Sequence, residues 1–159
     1  MEIHDRNALQ ELLSLPTLPK LPDAIATALQ PPHSRLAIVP FRRKPLPDSA
    51  ATRYETWRSR FQQVAAGDRQ EIGKYLDSLQ RAADREKAKA DFLRHRAQIR
   101  STLQSVEKAF EVVAAGLLGK TMQSSLRNAL ENTQQAFLLA RHELTRAEQT
   151  VREINASLR

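Results

Sequence analysis

The sequence predicts an all-α protein, in which a proline-rich, mostly irregular N-terminal arm precedes a long antiparallel helical hairpin or coiled coil. All eight prolines of the 159 residues lie in the first 47, and none follows. Only four glycines are present, whereas a β-sandwich or barrel needs many tight turns. From residue 48 onward, apolar residues recur at intervals of three and four, which is the period of one helix face. We therefore divide the chain into an arm, 1–47, and a helical region, 48–159.

The arm contains the repeat "LPTLPKLP", with a proline at every third position. A polyproline II helix has three residues per turn, so the prolines line one edge and the leucines between them line another. This apolar edge, formed by Leu15, Leu18 and Leu21, either folds back on the chain's own helices or docks on another protein. Short helices are predicted at Arg6–Leu15 and Asp23–Leu29, and a short extended strand at Leu36–Val39.

Three helices are predicted in the remainder, at about 49–66, 69–116 and 121–158. The first carries an aromatic face, formed by Tyr54, Trp57 and Phe61, and Gly67 is a plausible C-terminal cap for it. The apolar stripe of the second helix slips by one residue between Ala97 and Ile99. The third helix keeps an unbroken spacing of four and three at Leu126, Leu130, Thr133, Phe137, Ala140, Leu144, Ala147, Val151, Ile154 and Leu158. Such a long regular stripe is typical of a coiled coil.

The stretch "AAGLLGKT", residues 114–121, resembles part of a phosphate-binding P-loop. That motif requires glycine where this chain has Ala114, and it must follow a buried strand and open a helix. Here the preceding residues continue a helical stripe, and the following ones form the last helix. We therefore interpret Gly116–Lys120 as the turn between two antiparallel helices. A tight turn at this point would place Leu130 beside Val106.

The formal net charge of +7 indicates an acidic partner or a solubility role. Two basic clusters could contact nucleic acid or an acidic protein, one in the arm and one within residues 81–100. Phosphate binding needs only charge, but neither cluster contains a base-reading motif. Candidate contacts are Arg42, Arg43, Lys44, Arg81, Arg85, Arg94, Arg96 and Arg100.

Other classes of site find little support in the sequence. There is no cysteine, and no two of the four histidines are spaced as a helical metal pair. No catalytic signature occurs, so we expect no enzyme activity, no cofactor, no metal and no small-molecule substrate. No apolar stretch approaches the length of a membrane span or a signal peptide, which predicts a cytoplasmic protein.

These features favour a non-catalytic helical adaptor or structural subunit of a larger assembly, which binds other proteins or itself. Its predicted contacts are heptad seams and an apolar surface formed by Leu15, Leu18, Leu21, Tyr54, Trp57 and Phe61. In size, charge and paired long helices, residues 70–159 are similar to small coiled-coil subunits of bacterial machines, such as the stalk proteins of export ATPases. The alternative hypothesis is a nucleic-acid-binding accessory protein that uses the basic helix surface.

Overall fold

The computed structural model describes residues 6–29, 50–117 and 124–158, and the secondary structure in these ranges is entirely helical. The all-α prediction is therefore confirmed for this part of the chain. The predicted strand at 36–39, the arm boundary at 47–48 and most of the predicted turn at 116–120 lie outside the described residues. The helices are α1 (Arg6–Leu13), α2 (Asp23–Leu29), α3 (Ala50–Ala66), α4 (Asp68–Ser78), α5 (Arg85–Gly116) and α6 (Ser124–Ser157), with a 3-10 turn at Ala82–Asp84.

Only Gly67 separates helices α3 and α4. We call each long helical segment that runs the length of the molecule a leg, and α3 and α4 together form the first one. This leg packs antiparallel to α5. Near its start, the Tyr54 ring lies 5.8 Å from that of Phe110, and near its end, the Tyr75 ring lies 5.3 Å from that of Phe92. The chain direction of α3 and α4 is therefore opposite to that of α5.

Helix α6 runs antiparallel to α5 and also contacts the α3–α4 leg, since the Phe137 ring lies 6.2 Å from that of Tyr54. Arg100 lies 2.9 Å from Glu148, and farther along α5 the carboxylate of Glu107 accepts two hydrogen bonds from Arg141, at 2.6 and 2.9 Å. The described helices therefore include three antiparallel legs of similar length: α3 with α4, then α5, then α6. The short helices α1 and α2 pack against these legs.

The continuous helix predicted at 69–116 is wrong, because the chain reverses at residues 79–84. Arg85 stabilises this reversal by donating a hydrogen bond from Nε to the Leu79 carbonyl, at 2.9 Å. The buried positions also change phase here. Ile72, Leu76 and Leu79 end one stripe, and Ala88 and Phe92 begin another that leads directly into Ile99. The slip predicted between Ala97 and Ile99 therefore belongs at the turn, about fifteen residues earlier.

The predicted contact between Leu130 and Val106 is also wrong. The Phe110 and Phe137 rings lie 5.3 Å apart, and Glu107 pairs with Arg141. These pairs shift α6 by 11 to 12 residues from the register of a tight turn. The described part of α6 starts at Ser124, and this helix also packs against α2 of the arm.

Two buried clusters follow one another along the three legs. The aromatic end contains Tyr54, Phe110 and Phe137, together with Leu18 and Leu21 of the arm. The clasp end is built on α1, α4, the first half of α5 and the last turns of α6, and contains Leu13, Tyr75, Phe92, Val151 and Ile154. Within the described ranges, no helix has the length and apolar character needed to cross a bilayer.

Candidate functional site

The apolar surface predicted for a protein partner is largely occupied by the chain itself. Leu18, Leu21, Tyr54 and Phe61 are buried in one cluster, and Leu15 and Trp57 are half-buried against it. Two hydrogen bonds fix the proline-rich segment on α3. The Tyr54 hydroxyl donates to the Pro19 carbonyl at 2.8 Å, and the Leu21 amide donates to Glu55 Oε1 at 2.9 Å. Of the two alternatives for the arm, this region therefore folds back on its own helices.

The basic residues predicted for nucleic-acid contact do not form one surface. Arg96 is completely buried. Arg85 is partly buried and donates to the Leu79 and Leu158 carbonyls, while Arg100 pairs with Glu148 of α6. Arg81 and Arg94 are exposed, and each has a carboxylate within reach on its own segment, Asp84 at 3.0 Å and Asp91 at 3.1 Å. The remaining three, Arg42, Arg43 and Lys44, lie outside the described residues.

A buried polar group that sequence reasoning missed lies where α1, α4 and α5 meet. We call it the Asp68 cluster: Asp68, His95 and Arg96. Asp68 is the first residue of α4, and its two carboxylate oxygens accept hydrogen bonds from Nε and Nη2 of Arg96, at 3.0 and 2.9 Å. Nη2 also donates to the backbone carbonyl of Leu13, the last residue of α1. Arg96 therefore ties the arm to two legs of the bundle.

Electrostatics in this cluster are dominated by burial. Burial raises the pKa of Asp68, and the adjacent Arg96 charge partly offsets that effect. Burial also lowers the pKa of Arg96, with Asp68 acting in the opposite direction. Each charge is thus stabilised mainly by the other. The face of the Arg96 guanidinium also lies 4.7 Å from the Phe92 ring centre, an arrangement that favours a cation.

Two open grooves flank the Asp68 cluster. One, of about 600 Å³, lies between the arm and the α3–α4 junction, and Gln62 and Asp68 are among its lining residues. The other, of about 360 Å³, lies between α4 and α5, and His95 is part of its wall. His95 Nε2 lies 3.6 Å from Asp68 Oδ1, and this atom has no hydrogen-bond partner among the described residues.

The contacts of this cluster join separate elements of the fold. Asp68 directs both carboxylate oxygens to Arg96, and Nη2 of that guanidinium also donates to the Leu13 carbonyl. No group of three potential metal ligands occurs among the described residues.

A second polar network closes the same end of the molecule. The buried Tyr75 hydroxyl donates to Asn155 Oδ1 at 2.6 Å, and Asn155 Nδ2 donates to the Arg85 carbonyl at 2.9 Å. Arg85 in turn donates to the Leu158 carbonyl at 3.0 Å. This Asn155 network joins the end of α4, the start of α5 and the last turn of α6. Sequence analysis did not predict it, because these residues are far apart in the chain.

Helix α6 has an inner face that was predicted and an outer face that was not. Of the predicted stripe, eight positions are buried and Leu130 and Leu158 are half-buried. On the outside, Leu138 and Leu139 are 50% and 55% exposed. They lie in a stretch, Asn132–Ala140, that contains no charged residue. The sequence carried a signal for this face, since Phe137 and Ala140 already point inward and one helix cannot bury four consecutive residues on one side.

No family model, curated protein or solved structure matches this chain.

Proposed function

We propose that this chain is a non-catalytic helical adaptor or structural subunit of a larger assembly, and that it binds through the outer face of α6. In this proposal α5 and α6 form a long antiparallel hairpin. The arm and the α3–α4 leg brace one side of that hairpin, and α6 presents its outer face to the partner.

The observation that carries this proposal is the pair of exposed leucines, Leu138 and Leu139, in an uncharged stretch near the middle of the longest described helix. Single exposed apolar residues are ordinary on protein surfaces. Two adjacent leucines, both about half exposed, with no charge from Asn132 to Ala140, form a surface that can be desolvated at low cost. Charged residues are depleted at the centres of protein interfaces for the same reason.

The nucleic-acid alternative receives less support from the geometry. Arg85, Arg96 and Arg100 make contacts within the chain, and the two exposed arginines of the same segment have acidic neighbours. Binding to phosphates would require the chain to give up some of these contacts. A basic surface would also lose affinity steeply as salt rises, whereas an apolar contact through Leu138 and Leu139 would persist.

The test is affinity capture of the full chain from its native lysate in high salt. The wild-type chain is expected to retain a protein partner or further copies of itself. The double substitution Leu138→Glu with Leu139→Glu should abolish retention, because it places carboxylates at the centre of the contact. Val112→Glu is the matched control, since Val112 is similarly exposed, at 47%, but lies on α5.

Two results would contradict this proposal. One is capture that the double substitution leaves unchanged while circular dichroism shows an intact helical fold. The other is retention of nucleic acid alone, with binding that disappears as salt is raised.

A further inference from the structure

The outer face of α6 has a self-complementary arrangement of residues. Asn128, Glu131, Asn132, Gln135, Leu138, Leu139, His142, Thr145, Arg146 and Gln149 are all exposed. A two-fold axis placed between Leu138 and Leu139, perpendicular to the helix, maps every one of these residues onto another member of the same set. Residues equally distant from the axis come together when two copies of the helix lie antiparallel.

The pairs formed in this way are chemically matched. Leu138 meets Leu139 at the centre, twice. Toward each end, Gln135 meets His142, and then the carboxylate of Glu131 meets the guanidinium of Arg146. Asn132 with Thr145 and Asn128 with Gln149 complete the set as uncharged polar pairs that can exchange hydrogen bonds. A parallel arrangement would instead place Glu131 against Glu131 and Arg146 against Arg146.

We propose that the partner of this face is a second copy of the same chain, docked antiparallel through α6. This inference rests on the proposed function and names its partner. The contact is isologous, the usual form of a two-fold dimer interface. From Asn128 to Gln149 it spans about 32 Å at 1.5 Å per residue. With two leucines per copy at its centre and polar residues around them, it is a reversible contact whose direction is selected by charge.

The intramolecular contacts of these residues leave the surface available. Arg146 Nη1 lies 3.9 Å from Glu143, a long i,i+3 contact on an exposed face. Gln149 Nε2 donates to Glu153 at 3.2 Å, and Thr145 Oγ1 accepts a hydrogen bond from Arg100 Nη2 of α5 at 3.3 Å. Exposed contacts of this kind contribute little to stability. Their side chains can therefore turn toward a second copy at small cost.

Charge exchange between the two ends of the face tests this inference. The purified full chain is examined by sedimentation equilibrium over a range of concentrations. Glu131→Arg places two arginines together at both ends of the dimer, and Arg146→Glu places two carboxylates together. Each single substitution is expected to raise the dimer dissociation constant about tenfold or more, since like charges brought together at an interface are costly. The double exchange restores both pairs and should return the constant to near the wild-type value.

A mixture of the two single variants provides a second readout. One variant then has an all-positive face and the other an all-negative face, so they should associate with each other more tightly than either does with itself. Val112→Glu, which alters α5, should leave the dissociation constant unchanged.

The inference is overturned if the wild-type chain remains monomeric throughout the concentration range, or if the double exchange is as weak as the single variants. A monomeric chain that still captures a different protein through Leu138 and Leu139 would end this inference and leave the proposed function standing. A wild-type chain that forms no dimer and captures no other protein would contradict both this inference and the proposed function.

Discussion

The aromatic end and the clasp end of this molecule are held together by different kinds of contact. At the aromatic end, Tyr54, Phe110 and Phe137 meet at ring distances of 5.3 to 6.2 Å, and leucines of the arm complete the cluster. At the clasp end, the Asp68 cluster and the Asn155 network place hydrogen-bonded polar groups inside the packing. Buried apolar area is the larger contribution at the first end, and buried hydrogen bonds between charged and polar groups are added to it at the second.

This difference indicates which contacts fix the register of the helices. Apolar contacts tolerate small shifts in register, whereas a buried guanidinium with three acceptor atoms does not. Arg96 positions the end of α1, the α3–α4 junction and α5 relative to one another. We therefore expect substitutions at the clasp end to cost more per atom removed than substitutions at the aromatic end.

The largest effect is expected from Arg96→Met, which leaves the Asp68 carboxylate buried without its cation. Removing one partner of a buried ion pair typically lowers the free energy of unfolding by about 3–5 kcal/mol. Urea denaturation followed by circular dichroism measures this loss. Arg94→Met, on the exposed side of the same helix, should cost less than about 1 kcal/mol.

Adding Asp68→Ala to Arg96→Met should recover part of the stability, because it removes the orphaned carboxylate. If the double variant is less stable than Arg96→Met alone, the ion pair is not the reason for the loss.

High pH is expected to unfold the protein through both ends at once. The two tyrosines of the chain, Tyr54 and Tyr75, are both buried, and burial raises the pKa of each above its ordinary value near 10. The unfolded chain therefore loses tyrosine protons at a lower pH than the folded chain. Stability from this source is complete below pH 10 and falls as pH rises, by up to about 2.7 kcal/mol per pH unit for two groups.

Tyrosinate absorbance and helical circular dichroism, followed together in an alkaline titration, measure this effect. The two signals should change in a single step above pH 10. Tyrosinate that forms near pH 10 while the helical signal is intact would contradict the burial of these side chains.

Smaller losses of stability are expected when the hydroxyl group of Tyr75 or of Tyr54 is removed. Tyr75→Phe removes the donor of the buried hydrogen bond to Asn155, and we expect a loss of about 2 kcal/mol, within the range for an orphaned buried acceptor. Tyr54→Phe removes the hydrogen bond to the Pro19 carbonyl, which is only partly buried, so about 1 kcal/mol is expected. Equal losses, measured by urea denaturation, would remove the distinction between the two ends.

The sequence predicted some elements of this fold correctly and missed others. The inner stripe of α6 was predicted correctly, because a spacing of four and three that continues over ten positions has one simple structural meaning. The break at residues 79–84 was missed because it contains no glycine or proline. The phase of the α5 stripe could have revealed it, since Phe92 and Ala88 fit the stripe that passes through Ile99. His95 and Arg96 interrupted that stripe, and a buried arginine looks like a surface residue in a sequence.

The predicted partner surface shows a different limit. The apolar character of Leu18, Leu21, Tyr54 and Phe61 was recognised, but whether they face each other or another protein depends on long-range packing. Periodicity identifies which residues will be buried and does not identify what covers them. The Asp68 cluster was missed for the same reason, because it joins residues that are 28 and 83 positions apart.

The antiparallel arrangement of α5 and α6 is the central claim of this account, since it places Leu138 and Leu139 on the outside. Cysteines at Glu107 and Arg141, in a chain without native cysteine, should be joined within one molecule by a short bis-maleimide. The control pair is Glu107 with Leu130, because Leu130 lies about 17 Å from Arg141 along α6 and would face Glu107 only in the tight-turn register. Efficient intramolecular cross-linking of the first pair and not the second is the predicted result. Cross-linking of the control pair instead, or products only between molecules, would contradict the arrangement.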